Sequence, residues 1–276
     1  MTVRERLHGM WASVAPSWGE YAEYADARGA AVTERMLALA DPRPGDRVLE
    51  LACGAGGVGL AAARLVAPGG EVVLSDVAPE MTAIAAARAT GRSHVRTREL
   101  DLERIDEPDG SYDVVLCREG LMFALDPAAA AREIARVLRP GGRLALAVWG
   151  PRERNPWLAV LFDAVGAHLG EPVPPPGIPG PFALDDADRL TTLLGDAGLA
   201  AVGVEELAVP LRDTSYDEWW RRTTALAGPL AARLGALPAE SYDALRARVR
   251  EAVRPFETPA GLEFPGVTLL ASARRS

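Results

Sequence analysis

Three glycines, Gly54, Gly56 and Gly59, follow the apolar run 47–51 and lead into an alanine-rich helical stretch at 60–66. A strand that feeds a G-x-G-x-x-G turn and then a helix forms the nucleotide-cradling corner of an open α/β sheet. Glycine lets the backbone turn tightly and lets a ligand approach with no Cβ in the way. The helix start beyond leaves unpaired N–H groups aimed at that ligand. Glu50 stands at the strand end, directly before the turn. A pyrophosphate there meets a negative charge at close range, whereas an ammonium or sulfonium is attracted. Glu50 therefore points to S-adenosylmethionine (SAM) rather than to a nicotinamide dinucleotide. A helix-cap partner or a solvated strand end is its structural alternative.

Further carboxylates recur at strand ends. Asp76 closes the run 71–75, about twenty residues past the glycines, where a carboxylate accepts hydrogen bonds from ribose hydroxyls. Both cofactor readings expect it there, and it also suits the cap of a helix starting at Pro79. Asp101, after the run 94–100, is placed to receive an adenine amino group. The segment 118–123 follows a strand at 114–117, and ligands of such sheets bind beyond the carboxyl ends of the strands. Glu119 is the only carboxylate in that segment and is the candidate general base; an ion pair with Arg118 or another arginine is the alternative. Arg118 could orient an acidic acceptor, and Phe123, Trp149, Trp157, Trp219 and Trp220 could wall an apolar pocket or simply fill the core. Trp18 and Tyr21 are candidates for a lid over the ligand, or they staple the N-terminal helices to the sheet.

Composition narrows the classes. A chain of 276 residues, 49% hydrophobic and 25% charged, can bury a sizeable globular core. A formal charge of −8 argues against nucleic acid or an anionic membrane as the main partner. No apolar run has transmembrane length and the first ten residues are too polar for a secretory signal, so a cytoplasmic protein is expected. Cys53 and Cys117 make neither a disulfide framework nor a metal site, and His8, His94 and His168 have no partner at metal spacing; no metal is expected. All 30 basic residues are arginine, which excludes a Schiff-base lysine, a P-loop lysine and a Ser-Lys dyad.

The elements that must position these groups alternate. Helices are predicted over 2–40, 79–90, 127–138, 157–169, 185–197, 216–227 and 241–256, and strands over 47–51, 71–75, 94–100, 114–117, 143–149, 201–211 and 267–273. Repeated strand-turn-helix units imply a mostly parallel sheet with helices on both faces. A proline-rich connector at 171–181 must run over the surface.

Four ordered blocks, 48–56, 72–81, 99–115 and 138–148, resemble the class I SAM-dependent methyltransferases of the UbiE-like (methyltransferase type 11/25) kind. The resemblance covers 11–150 well and the remainder by layout. It implies a Rossmann-like seven-stranded sheet, mostly parallel with an antiparallel last strand, and a helical cap. It divides the chain into an N-terminal helical lid (1–40), a SAM-binding core (41–150) and a remainder (151–276) holding strands near 201–211 and 267–273 with cap insertions near 151–200 and 212–256. It assigns Glu50, Ala52, Cys53, Gly54 and Gly56 to the methionine half of SAM and Asp76 to the ribose. Val77 and Met81 flank the adenine, Asp101 with Leu102 meets its amino group, and Cys117 lines the methionine moiety. Ala52 departs from the family's first glycine.

The function expected is methyl transfer from SAM, with S-adenosylhomocysteine (SAH) as product, to an O, N or C nucleophile of a small apolar acceptor such as a natural product or quinone precursor. The protein would be a monomer or homodimer with no nucleic-acid partner and no membrane insertion. Two other readings stay open: a SAM-binding protein of this fold without methyl transfer, cyclase-like or interacting, and an NAD(P)-dependent oxidoreductase.

Overall fold

The computed structural model describes residues 2–276. Its centre is a seven-stranded sheet in the order β3-β2-β1-β4-β5-β10-β6. The first five strands are β1 (Arg47–Glu50), β2 (Glu71–Asp76), β3 (Val95–Glu99), β4 (Tyr112–Arg118) and β5 (Leu138–Trp149), all mutually parallel. β10 (Val267–Arg275) runs antiparallel between β5 and β6 (Leu199–Ala208). The central strands carry apolar runs, as at 72–74, 114–117 and 144–149, because successive side chains point to opposite faces and both faces are covered there, whereas the edge strands β3 and β6 carry charged residues. Leu49, Val73, Val115, Leu144 and Leu146 join one buried cluster, while their neighbours Val48, Val72, Leu74, Val114 and Ala145 join the other.

Strand order reverses between β1 and β4, which opens a crevice at their carboxyl ends. The crossover helices α4 (Gly57–Val66), α5 (Pro79–Arg88) and α6 (Pro127–Val137) follow β1, β2 and β4. The N-terminal segment forms α1 (Val3–Glu20), α2 (Ala22–Arg28) and α3 (Ala30–Ala40). α1 starts at a capping box in which Thr2 and Glu5 satisfy each other's backbone N–H. It packs on α5 and, at the other side of the crevice, on α9 (Tyr216–Leu226) and α10 (Gly228–Gly235). α7 (Pro156–Leu169) packs on α11 (Ala239–Val253).

The second half departs from expectation in three places. The single strand expected over 201–211 is divided: β6 ends at Ala208, Pro210 has no N–H to continue the ladder, and β7 (Leu211–Asp213) joins a separate sheet. That sheet, in the order β7-β9-β8, also holds β8 (Glu257–Thr258) and β9 (Gly261–Phe264), which are too short to stand out as alternating runs. α8 (Ala187–Asp196), expected in the cap, lies against β6 and β10 because its apolar stripe, Leu190 and Leu194, has the sheet to cover. The α10 helix begins at Gly228, a residue that reads as a breaker in sequence.

Candidate functional site

The glycine turn is held by two carboxylates. Asp76 at the end of β2 accepts the Gly54 N–H through Oδ2 and the Ala78 N–H through Oδ1, each at 3.0 Å. It therefore pins the turn and the start of α5 together. Burial holds its carboxyl above the usual range, opposed by those N–H groups. Glu50, at the end of β1 and 2% exposed, accepts the Gly59 N–H at 2.8 Å. Burial pushes its carboxyl up to about 7, against the bonds from the start of α4. Gly59 has no side chain because a Cβ there would lie 2.6 Å from Glu50 Oε2 and 2.2 Å from Leu74 Cδ2. Glu50 is thus a helix-cap partner that also lines the crevice. With the Gly59 N–H donated inward, the anion seat of a dinucleotide fold is filled by the protein's own carboxylate.

Gly54 (φ +51) and Gly56 (φ +83) take left-handed conformations that glycine adopts without strain. Gly54 faces the crevice, and a Cβ there would touch only the Trp18 ring at 3.7 Å. Gly56 lies behind the turn as the N-cap of α4, where a Cβ would press on Leu74 and Ala85. Ala52 is also left-handed, at φ +49, and its methyl fits because Gly120 opposite has none: a Cβ on Gly120 would come within 2.5 Å of it.

The crevice brings together Glu50, Ala52, Cys53, Gly54, Asp76, Val77, Met81, Asp101 and Leu102 on the side expected for cofactor, and Trp18, Arg118, Glu119, Phe123 and Trp149 on the side expected for acceptor. Five expected residues lie off its lining. Gly56 is behind the turn, and Cys117 is buried behind Gly120, its thiol pushed up to about 12 by burial. Tyr21 sits at the break between α1 and α2, and its ring lies under Arg221. One turn on, Tyr24 lines the crevice in its place. Trp219 and Trp220 lie outside the lining, in the core, whereas Trp157 joins Trp149 edge-to-face, ring centroids 5.0 Å apart.

Several lining residues escape sequence reasoning. Arg4 of α1 bonds Asp101 and Glu103, so Asp101 is already an ion-pair partner, and it also accepts the Glu103 N–H at 2.9 Å. Trp11 packs edge-to-face on Phe123 at 4.9 Å, so α1 covers the crevice with Arg4, Trp11 and Trp18. The buried Trp18 Nε1 has no acceptor among the described residues. Arg28 sits 5.1 Å from each of the Trp149 and Trp157 rings and 3.6 Å from Glu119. Arg118 is instead tied to Thr33 at 2.8 Å. Tyr24 donates to Asp213, which Arg222 also holds, and burial pushes its hydroxyl up to about 12. The signal available in sequence was the aromatic and arginine content of 1–40; its helical phase alone did not say which side chains faced inward.

Glu119 itself has φ +58, a conformation that costs a non-glycine residue about 1–3 kcal/mol. Its N–H is fixed to Ala147 O at 2.8 Å as the chain leaves β4. Among the described residues no group of three or more His, Cys, Asp or Glu side chains is placed to hold a metal ion. No helix of the described residues is long and apolar enough to cross a membrane.

The residues also fit a SAM-sized nucleoside sulfonium. The chain there offers a glycine turn open to close approach, two buried carboxylates beside it, and an orphaned indole N–H above it. Comparison with known proteins agrees. A family model described as "Methyltransferase domain" matches residues 49–146. The ubiquinone/menaquinone biosynthesis C-methyltransferase UbiE of Ectopseudomonas mendocina is 35% identical over 130 residues, covering 46% of this chain and 50% of that protein. The nocamycin O-methyltransferase of Saccharothrix syringae is 42% identical over 117 residues, covering 42% of each. The chain spans about half the length of the curated relatives it matches. In fold it is similar to the YcgJ protein of Bacillus subtilis (TM-score 0.59, 23% identity, 88% of this chain and 97% of that one). It is also similar to the [4+2]-cyclase SpnF (TM-score 0.53, 24% identity, 89% and 80%). Sheet order, glycine turn and sequence match converge on one likeness: over residues 49–146 the chain is similar to a methyltransferase domain, and about half of it is similar to UbiE-like SAM-dependent methyltransferases.

Proposed function

We propose that the chain is a cytoplasmic enzyme that transfers a methyl group from SAM to an O, N or C nucleophile of a small apolar acceptor. The observation that carries this reading is a single crevice with a glycine turn and buried carboxylates at one end and an aromatic chamber of Phe123, Trp149 and Trp157 at the other. SAM, when bound, would supply an electrophilic methyl carbon that an aligned nucleophile attacks in line, the S–CH3 bond breaking and its electron pair leaving on the sulfur of SAH.

The chain's own residues do the rest. Glu50 and Asp76 shape the turn and put negative charge beside the cation; Gly54 leaves the approach open. Asp101 and Leu102 border the adenine end, where an amino group competes with Arg4 for the Asp101 carboxylate. Trp11 and Trp18 cover the crevice and exclude water. Holding donor and acceptor in line accounts for several kcal/mol, about 7–11 at the upper limit. Glu119, at the chamber wall, takes the proton of an acceptor hydroxyl or amine where one must leave.

Calorimetric titration with SAM, SAH and NADH tests the cofactor, and product mass from acceptor mixtures tests the chemistry. Micromolar binding of SAM and SAH with an acceptor gaining one methyl supports the proposal. Binding of both with acceptor mass unchanged means SAM binding without transfer, and NADH binding alone refutes the reading.

A further inference from the structure

The chamber is lined by three arginines, and their donors are engaged to different degrees. Arg118 donates to Thr33, and Arg222 is paired with Asp213 and with Glu218 at 2.9 Å. Arg28 differs. Its side chain is 18% exposed, its Nε is buried with no acceptor, and its one carboxylate within 4 Å among the described residues is Glu119, at 3.6 Å. That separation is too long for a hydrogen bond. The indoles of Trp149 and Trp157 stand beside the guanidinium at 5.1 Å and hold it through cation–π attraction without using its N–H groups. A planar fork of donors is therefore presented, half-desolvated, to an apolar chamber. A buried donor without an acceptor is costly, and a guanidinium edge is the shape that a carboxylate or another flat oxyanion completes.

We propose that Arg28 is the specificity-determining residue for the acceptor, and that the acceptor is an apolar, planar molecule carrying an anionic oxygen group that takes the Arg28 edge. This rests on the methyltransferase reading for its setting, since a bound sulfonium adds a second positive charge to the same crevice. The shared chemistry is an oxyanion on an apolar frame, as a carboxylate or as an ionised phenol or enol. Glu119 is the resident counter-ion. Its 3.6 Å contact is longer than a hydrogen bond, so the Arg28 edge stays open to a ligand oxyanion.

The test titrates the SAH-saturated 276-residue chain with 2-naphthoate and with 2-naphthamide, which share size and shape but not charge. The wild type is expected to favour the acid by tenfold or more, and Arg28→Met to abolish that preference while SAH affinity stays within about twofold. Arg28→Lys keeps part of the preference, and Glu119→Gln raises naphthoate affinity several-fold because the competing carboxylate is gone. The last variant keeps the proposal testable should Arg28→Met fold poorly. Titration with 4-nitrophenol below and above its own ionisation separates a phenolate from a carboxylate site. Equal affinity for acid and amide, no affinity for either, or a preference that survives Arg28→Met overturns the proposal while SAH binding still supports the methyltransferase reading. Loss of SAH binding in the wild type overturns that reading instead, and the naphthoate–naphthamide pair titrated into the cofactor-free chain then still decides the role of Arg28.

Discussion

Ala52 and Gly120 offer the sharpest test of how this chain accommodates its departure from the family's glycine. Gly120 has φ −107 and ψ −46, which alanine adopts freely, so the backbone does not require glycine there. Space does: a Cβ would lie 2.5 Å from the Ala52 Cβ and 3.0 Å from Cys117 Sγ. Gly120→Ala gains about 0.4–1 kcal/mol from a less flexible unfolded chain but meets an overpacking cost of about 1–3 kcal/mol. A net effect between neutral and about 2.6 kcal/mol destabilising is expected. Ala52→Gly relieves a left-handed alanine, about 1–2 kcal/mol, and loses about 0.4–1 kcal/mol to unfolded-state entropy, so it ranges from neutral to about 1.6 kcal/mol stabilising. In the double variant the nearest clash is gone. Its stability should exceed the sum of the single effects by about 1 kcal/mol or more, the signature of residues in contact. Urea unfolding of the four proteins at constant m-value reads this coupling, and SAH titration reports whether the turn is kept. Additivity within about 0.3–0.5 kcal/mol would refute the argument that Gly120 is small to house the Ala52 methyl.

Other expectations follow from the same site. Glu50 is pushed up to about 7 in the fold against an ordinary carboxylate near 4.5, so the native state holds more protons between those values. The stability associated with its neutral form is complete below about 4.5 and lost as pH rises towards 7, by up to about 3 kcal/mol. Subtracting the pH–stability curve of Glu50→Gln from that of the wild type should isolate this slope, and a flat difference would falsify the assignment. Asp76→Ala removes the acceptor of two backbone N–H groups, and should destabilise by about 2–4 kcal/mol and abolish micromolar SAH binding, whereas Asp76→Asn keeps part of both in denaturation and calorimetry. Arg4→Ala breaks a half-exposed ion pair, so stability should change by less than about 1 kcal/mol. Stopped-flow tryptophan fluorescence should then show faster SAH association, because Asp101 is released; an unchanged rate would mean that Arg4 does not compete at the adenine end.

Physical reasoning about individual residues explains why parts of the site were legible. Glu50 and Asp76 are acidic residues at the ends of short apolar runs and Asp101 follows the mixed run 94–100; glycine or a turn signal after such a run reveals where a strand stops. Phe123, Trp149 and Trp157 were legible as wall candidates, but Arg4, Trp11, Tyr24 and Arg28 were hidden because they arise from α1 and α2, whose helical phases the sequence leaves ambiguous. Tyr21 and Tyr24 illustrate this: the break between α1 and α2 at Tyr21 resets the phase and turns Tyr24 inward. Glu119 was found by its position after β4, but its true partner, Arg28, lies ninety-one positions earlier in the chain.

The sequence by itself determined the parallel core, the glycine turn and the acidic strand ends, because each depends on short-range periodicity and local backbone preference; the antiparallel last strand was expected only from the family resemblance. Tertiary structure decided the rest. It placed Glu50 on the Gly59 N–H, matched the Ala52 methyl to the missing side chain of Gly120, split 199–213 between two sheets, and set Arg28 among Trp149, Trp157 and Glu119. Each of these is a contact between residues distant in the chain, and pairwise distance and desolvation exist only once the sheet has brought its strand ends and covering helices together.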